Sequence, residues 1–166
     1  MIKKKICMLG AFAVGKTSLV QRYVNSIFSE KYHTTIGVKI DSKMVTVGDT
    51  TVNLLLWDIH GEDNFQKVKS SYLIGASGYF IVIDGTRRDT LDVGLALQEM
   101  AKKVVKEVPF LVLINKSDLM DDEWEISEDD INALKEKGME VILTSAKENV
   151  GVEEAFLRLT ELMINK

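Results

Sequence analysis

An α/β fold is what this 166-residue sequence predicts: a six-stranded, mostly parallel sheet with one antiparallel strand and helices on both faces. Three observations lead there. Apolar runs alternate with amphipathic stretches along the chain, the pattern of a sheet sandwiched by helices. One pair of runs is separated only by Gly48-Asp49, a turn short enough for an antiparallel hairpin, while helix-length segments separate the others and make them parallel. The motifs that suggest chemistry all fall where candidate strands end, the rim at which open α/β sheets bind ligands.

Taken in order, the candidate strands are Lys4–Leu9, Val38–Val47, Thr51–Asp58, Gly78–Asp84, Phe110–Asn115 and Glu140–Leu143. Helices are expected near Gly15–Asn25, Asn64–Ile74, Thr90–Lys106, Ser127–Lys137 and Val152–Ile164. Ser127 with Asp130 three residues on has the form of an N-cap, and Gly138 is a natural stop for that helix. No repeat or low-complexity tract interrupts the chain and Pro109 is its only proline, so residues 1–166 read as a single domain.

The net charge of −4 argues against a nucleic-acid partner, because binding a phosphate backbone needs a basic surface. The single cysteine, Cys7, cannot close an internal disulfide and lies in an apolar run, which predicts a buried thiol in a reducing, cytoplasmic setting. The opening MIKKKICMLGAFA has too short an apolar stretch for a signal peptide, and no run approaches a membrane span. The ending ELMINK carries no cysteine to prenylate and residue 2 is isoleucine, so no lipid anchor is encoded in this chain. Peripheral membrane association would need a further C-terminal tail.

GAFAVGKT, Gly10 to Thr17, matches G-x-x-x-x-G-K-[ST] between a candidate strand and a candidate helix. Backbone N–H groups of such a loop, including those of Ala13, Val14, Gly15 and Ser18, converge on phosphates, and the following helix adds its positive end. Lys16 reaches the terminal phosphates and the Thr17 hydroxyl ligates Mg²⁺. Gly10 and Gly15 stand where backbone approaches closely. The strand Thr51–Asp58 runs into WDIHGED, where Asp58 is placed to hold the metal's water shell and Gly61 offers an unobstructed N–H.

Two further loops address a base. In NKSD, Asp118 can accept both N1–H and the 2-amino group of guanine, which adenine does not offer in that geometry. Asn115 can reach the N7 side of the ring, and the Lys116 stem can cover its face. In TSAK, Thr144 to Lys147, the Ala146 N–H would meet guanine O6, flanked by Ser145 and Lys147.

With these residues in view, the chain resembles a small GTPase of the Ras superfamily, and most closely the Rab branch. GAFAVGKT, the TIGV of Thr35–Val38, Trp57-Asp58, SSYLIGASG, NKSDL and TSAKENVGVEEAF carry the resemblance, which spans almost the whole chain. It implies a P-loop NTPase G domain acting as a monomeric switch that binds GTP or GDP with Mg²⁺ and hydrolyses GTP. It also implies that Thr35 ligates Mg²⁺ and touches the γ-phosphate, that Phe28 packs against the guanine, and that Asp58 and Gly61 open a second switch. Effector, exchange-factor and activating proteins are the implied partners. Ile40, Trp57 and Tyr72 match the apolar triad that Rab-like proteins present to effectors.

Three residues break the family pattern, all near the γ-phosphate. Phe12 stands where relatives have small or short polar residues, His60 replaces a small one, and Glu62 takes the place of the glutamine that orients attacking water. An ionised glutamate accepts hydrogen bonds but cannot donate to the transition-state oxygens. Slow unassisted hydrolysis is therefore expected, with Lys16, Thr35, Gly61 and Glu62 as the catalytic set. Four alternatives stay open: Phe12 packing on the second switch with Glu62 in solvent, Glu62 acting as a proton acceptor, a nucleotide-loaded interaction module with little turnover, and a P-loop ATPase or small-molecule kinase, which would leave NKSD and TSAK without a reason.

Overall fold

The structure is a computed structural model that describes residues 2–24, 38–60 and 68–165, with the backbone alone of 32–35. Phe28, Gly61, Glu62 and the side chain of Thr35 lie outside the described residues. The elements run β1 (Ile2–Gly10), α1 (Lys16–Val24), β2 (Tyr32–Thr35), β3 (Val38–Val47), β4 (Thr50–Ile59), β5 (Gly78–Asp84), α2 (Asp89–Val105), β6 (Phe110–Asn115), α3 (Glu128–Glu136), β7 (Val141–Leu143) and α4 (Val152–Ile164).

The sheet order is β2-β3-β4-β1-β5-β6-β7. β1 pairs in parallel with β4 and β5, and β5, β6 and β7 continue parallel. β3 runs against both its neighbours. Val47 pairs with Thr50, so Gly48 and Asp49 close the expected two-residue hairpin. All six expected strands are present, and β2 adds a short seventh at the edge.

The inner strands read as continuous apolar runs because both faces are buried. Along β1, Ile6 and Met8 join a core with Leu19, Val20 and Tyr23 of α1 and Phe156 and Leu159 of α4. Cys7 and Leu9 face the other way, against Leu97 and Ala101 of α2 and Leu134 of α3. The Cys7 thiol is fully buried, and burial pushes its pKa up to about 12. Tyr23 stacks on Phe156 with ring centroids 3.9 Å apart, clamping α1 to α4.

Four helices are close to their expected bounds. At α3 the Asp130 N–H donates to Ser127 Oγ (3.0 Å) and the Ser127 N–H donates back to Asp130 Oδ2 (2.8 Å), a capping box that contributes about 1 kcal/mol. The exception is the helix expected at Asn64–Ile74. Its described part is one 3-10 turn, Ser70–Leu73, and Val68 and Lys69 precede it without helix. Leu73 and Val68 are buried in the core beneath α2, and a single turn suffices to place them. No helix among the described residues is long and apolar enough to cross a membrane.

β1 lies between β4 and β5, with the later strands laid out on opposite sides of it across the sheet, so the loop leaving its carboxyl end opens at the crevice where such sheets bind ligands. The ends of β4, β5 and β6 adjoin the same rim through the in-register pairs Met8–Asp58, Gly10–Val82 and Asp84–Asn115.

Candidate nucleotide-binding site

The loop from Gly10 to Thr17 is shaped by what holds its carbonyls. Lys16 Nζ donates to Gly10 O (3.2 Å) and Ala11 O (3.1 Å). Arg87 donates to Phe12 O (2.9 Å), Lys116 to Ala13 O (3.3 Å) and Asn115 Nδ2 to Val14 O (3.0 Å). The Leu19 N–H takes Gly15 O (2.9 Å) as α1 begins. Across a trans peptide the carbonyl and the next N–H point in opposite directions. Tethering the carbonyls of Phe12 to Gly15 to the surrounding protein therefore turns the N–H groups of Ala13 to Lys16 the other way, into a concave, anion-binding nest.

Two backbone positions make this curvature possible. Ala13 has φ +63° and Gly15 φ +106°. A Cβ at Gly15 would stand 2.2 Å from Asn115 Nδ2, and one at Gly10 would stand 2.5 Å from Val82 O. Glycine at both ends is thus a packing requirement.

The loop borders a cleft of about 450 Å³ lined by Phe12, Lys16, Thr17, Ser18, Asp58 and His60 among others. Lys16 is 6% exposed, and desolvation lowers its pKa to about 8 although Asp58 pulls it back up. Its environment favours an anion. Thr17 Oγ1 donates to Asp58 Oδ2 at 2.5 Å, and burial raises the Asp58 pKa against the opposing pull of Thr17 and Lys16. A buried carboxylate and a hydroxyl side by side at a phosphate loop are hard oxygen donors, the type that suits magnesium. Phe12 is 60% exposed at the mouth, its backbone held but its ring free of the core.

A second cleft of about 240 Å³ adjoins the first through Gly15, Ser18 and Lys116, and carries Asn115, Asp118, Leu119, Ala146 and Lys147. Ser145 Oγ donates to Asp118 Oδ1 (2.7 Å), orienting that carboxylate. Asn115 is 2% exposed: its Oδ1 accepts from Thr144 Oγ1 (3.1 Å) and the Ala146 N–H (3.3 Å) while Nδ2 holds Val14 O. The amide retains one more N–H, the group that could face N7. Arg22 of α1 grips the Ala146 and Lys147 carbonyls at 2.8 and 2.9 Å.

The structure thus brings together Gly10, Ala13, Val14, Gly15, Lys16, Thr17, Ser18, Asp58, Asn115, Lys116, Asp118, Ser145, Ala146 and Lys147 around two adjoining clefts. Sequence reasoning missed Arg22, Asp84, Arg87 and the inward role of Thr144. Only Thr144 sat inside a motif where it could have been found. Of the expected apolar triad, Ile40 pairs with Trp57 across β3 and β4, and Trp57 and Tyr72 each pack against the same core cluster. Lys5 Nζ lies 3.6 Å from the Trp57 ring centroid.

Fold and site together define a nucleotide-binding α/β domain of the phosphate-loop class. The Ras family model matches residues 5–165. The Ras-related protein Rab-7b of Mus musculus is 34% identical over 157 residues, 92% of this chain and 78% of that protein. The Ras-related protein Rab-1 of Theileria annulata is 32% identical over 164 residues, 98% of this chain and 74% of that protein. The GTP-binding protein ypt1 of Schizosaccharomyces pombe is 34% identical over 160 residues, 94% of this chain and 77% of that protein. The chain belongs to the Ras family and is a small GTPase of the Rab branch, a guanine-nucleotide-dependent switch.

Gly15→Ala should displace Asn115 and unwind the loop's curvature together. The expected result, read by fluorescent-GDP titration, is a loss of affinity of about tenfold or more. Unchanged affinity would mean the clash is absorbed elsewhere.

Proposed function

We propose that this GTPase holds GTP or GDP with Mg²⁺ across the two clefts and hydrolyses GTP slowly when unassisted. The observation that carries the binding reading is the run of tethered carbonyls from Gly10 to Gly15, which aims the loop's N–H groups at one point beside a buried lysine. Lys16 contacts the β- and γ-phosphates, and Thr17, Asp58 and Thr35 would hold the metal, which would supply charge neutralisation on the phosphate oxygens.

Asp118, oriented by Ser145, accepts from the guanine N1–H and 2-amino groups, and the Ala146 N–H turns to O6. Lys116 and Phe28 enclose the base. With GTP bound, Thr35 and Gly61 engage the γ-phosphate, and its loss releases both switches. Ile40, Trp57 and Tyr72 then present different surfaces to effector proteins in the two states, while exchange and activating factors act on the switches.

Asp118→Asn should replace the double acceptor by an amide, so preference moves from guanine toward xanthine nucleotides. Competition binding on the parent should favour GTP and GDP over ATP and ADP. Equal competition by adenine nucleotides would overturn the guanine assignment.

Hydrolysis is slowed by residues at the γ-phosphate side. Glu62 adds negative charge where a donor is wanted, and losing one well-placed donor costs on the order of 2.7–4 kcal/mol of barrier. The exposed Phe12 ring narrows the approach of an arginine from a partner. Phosphate release in a single turnover should rise in Phe12→Gly/Glu62→Gln relative to the parent. Equal rates would remove the two side chains as the cause, and a parent with no release at all would favour a nucleotide-loaded interaction module.

A further inference from the structure

Asp84 ends β5 outside every nucleotide motif, yet it is fully buried beneath the site. Its Oδ1 accepts from the Thr86 N–H (2.9 Å) and Thr86 Oγ1 (2.7 Å). Its Oδ2 makes no well-aligned hydrogen bond and instead faces two cations, Lys116 Nζ at 2.8 Å and Arg87 NH1 at 3.8 Å. Burial alone would raise the Asp84 pKa, but Lys116 and Thr86 hold it below the ordinary value, so the carboxylate stays charged.

Both cations also reach the phosphate loop, and the second arm of Arg87 lies 4.0 Å from the exposed Asp89 carboxylate. Lys116 donates to Ala13 O (3.3 Å) and Arg87 to Phe12 O (2.9 Å). The Arg87 N–H also closes a turn onto Asp84 O (3.0 Å), so the guanidinium leaves the backbone right beside its carboxylate. One buried anion therefore fixes two consecutive loop carbonyls, in sequence more than seventy residues away.

We propose that Asp84 and Arg87 are positioning residues of the nucleotide site. Asp84 holds Lys116 and Arg87, and Arg87 keeps the Phe12 carbonyl turned away from the phosphates. The inference rests on the nucleotide-binding reading above. Without the tether, the peptide joining Phe12 to Ala13 is free to rotate, presenting its carbonyl dipole to an anion and withdrawing the Ala13 N–H. Phe12 sharpens the need, because its bulky side chain must remain outside the loop while its backbone lines it. Arginine suits the task, since one planar guanidinium nitrogen, Nη1, lies within reach of both the Phe12 carbonyl (2.9 Å) and the Asp84 carboxylate (3.8 Å), whereas a lysine in its place presents only a flexible point charge. Asp84 also links the two halves of the site, because Lys116 belongs to the base loop and donates to the phosphate loop.

The test compares GDP with GMP, which leaves most of the phosphate loop unused. Arg87→Ala should speed GDP dissociation about tenfold, the scale of one partly exposed, charge-assisted hydrogen bond. GMP affinity should change by less than about twofold. Arg87→Lys should restore part of the loss. In Asp84→Asn, where Arg87 has lost the buried carboxylate beside Nη1 and keeps only the exposed Asp89, adding Arg87→Ala should cost clearly less than it does in the parent. Equal weakening of GDP and GMP, or a lower melting temperature with GDP dissociation unchanged, would reduce Arg87 to a surface ion pair and overturn the inference. If Asp84→Asn fails to fold, the half-exposed Arg87 variants still decide. A parent that binds no GDP would sink the nucleotide reading itself, whereas a parent that binds it with Arg87→Ala unchanged sinks only this inference.

Discussion

The site depends on where a short loop sends its carbonyls. A phosphate can be wrapped by backbone only if the peptide dipoles present N–H inward, and nothing in an isolated loop enforces that. Here each carbonyl from Phe12 to Gly15 has a donor outside the loop, supplied by α1, by the end of β6, or by the turn after β5, while those of Gly10 and Ala11 are taken by the loop's own Lys16. The scaffold thus supplies preorganisation, so the ligand meets dipoles already turned toward it. The fold's arrangement of β1 between β4 and β5 brings those donors to one rim.

The loops that recognise phosphate and base are mechanically one unit. Asn115 holds Val14 with one end of its amide and Thr144 and Ala146 with the other. Arg22 ties the Ala146 and Lys147 carbonyls to the helix that follows the phosphate loop. Ser145 sets the Asp118 carboxylate. These hydrogen bonds tie the three loops and the start of α1 to one another. On the opposite side, Thr17 and Asp58 join the phosphate loop to the end of β4.

How much of this was legible depended on whether the determinants were consecutive. Gly78–Asp84 and Phe110–Asn115 coincide with their expected bounds because unbroken apolar runs have few alternatives when both faces are buried. The helix expected over Asn64–Ile74 did not hold at Val68 and Lys69. Its apolar spacing mimicked a helical face, but burying Val68 and Leu73 needs only one 3-10 turn. The edge strand Tyr32–Thr35 was missed because four residues give too short a pattern to read. Motif residues such as Lys16, Thr17 and Asp118 were readable at once. Arg22, Asp84 and Arg87 were not, since their partners are far along the chain: Arg22 meets Ala146 and Arg87 meets Phe12 only after folding.

Whether the tethered loop presents its amides to phosphate is tested most directly by amide resonances of isotopically labelled protein, followed as GDP is added to nucleotide-free material. The N–H signals of Ala13, Val14, Gly15 and Lys16 should shift strongly and become protected from solvent exchange, since those four groups lie opposite the held carbonyls. Shifts confined to Asn115–Leu119 and Thr144–Lys147, with those four amides unmoved, would contradict it.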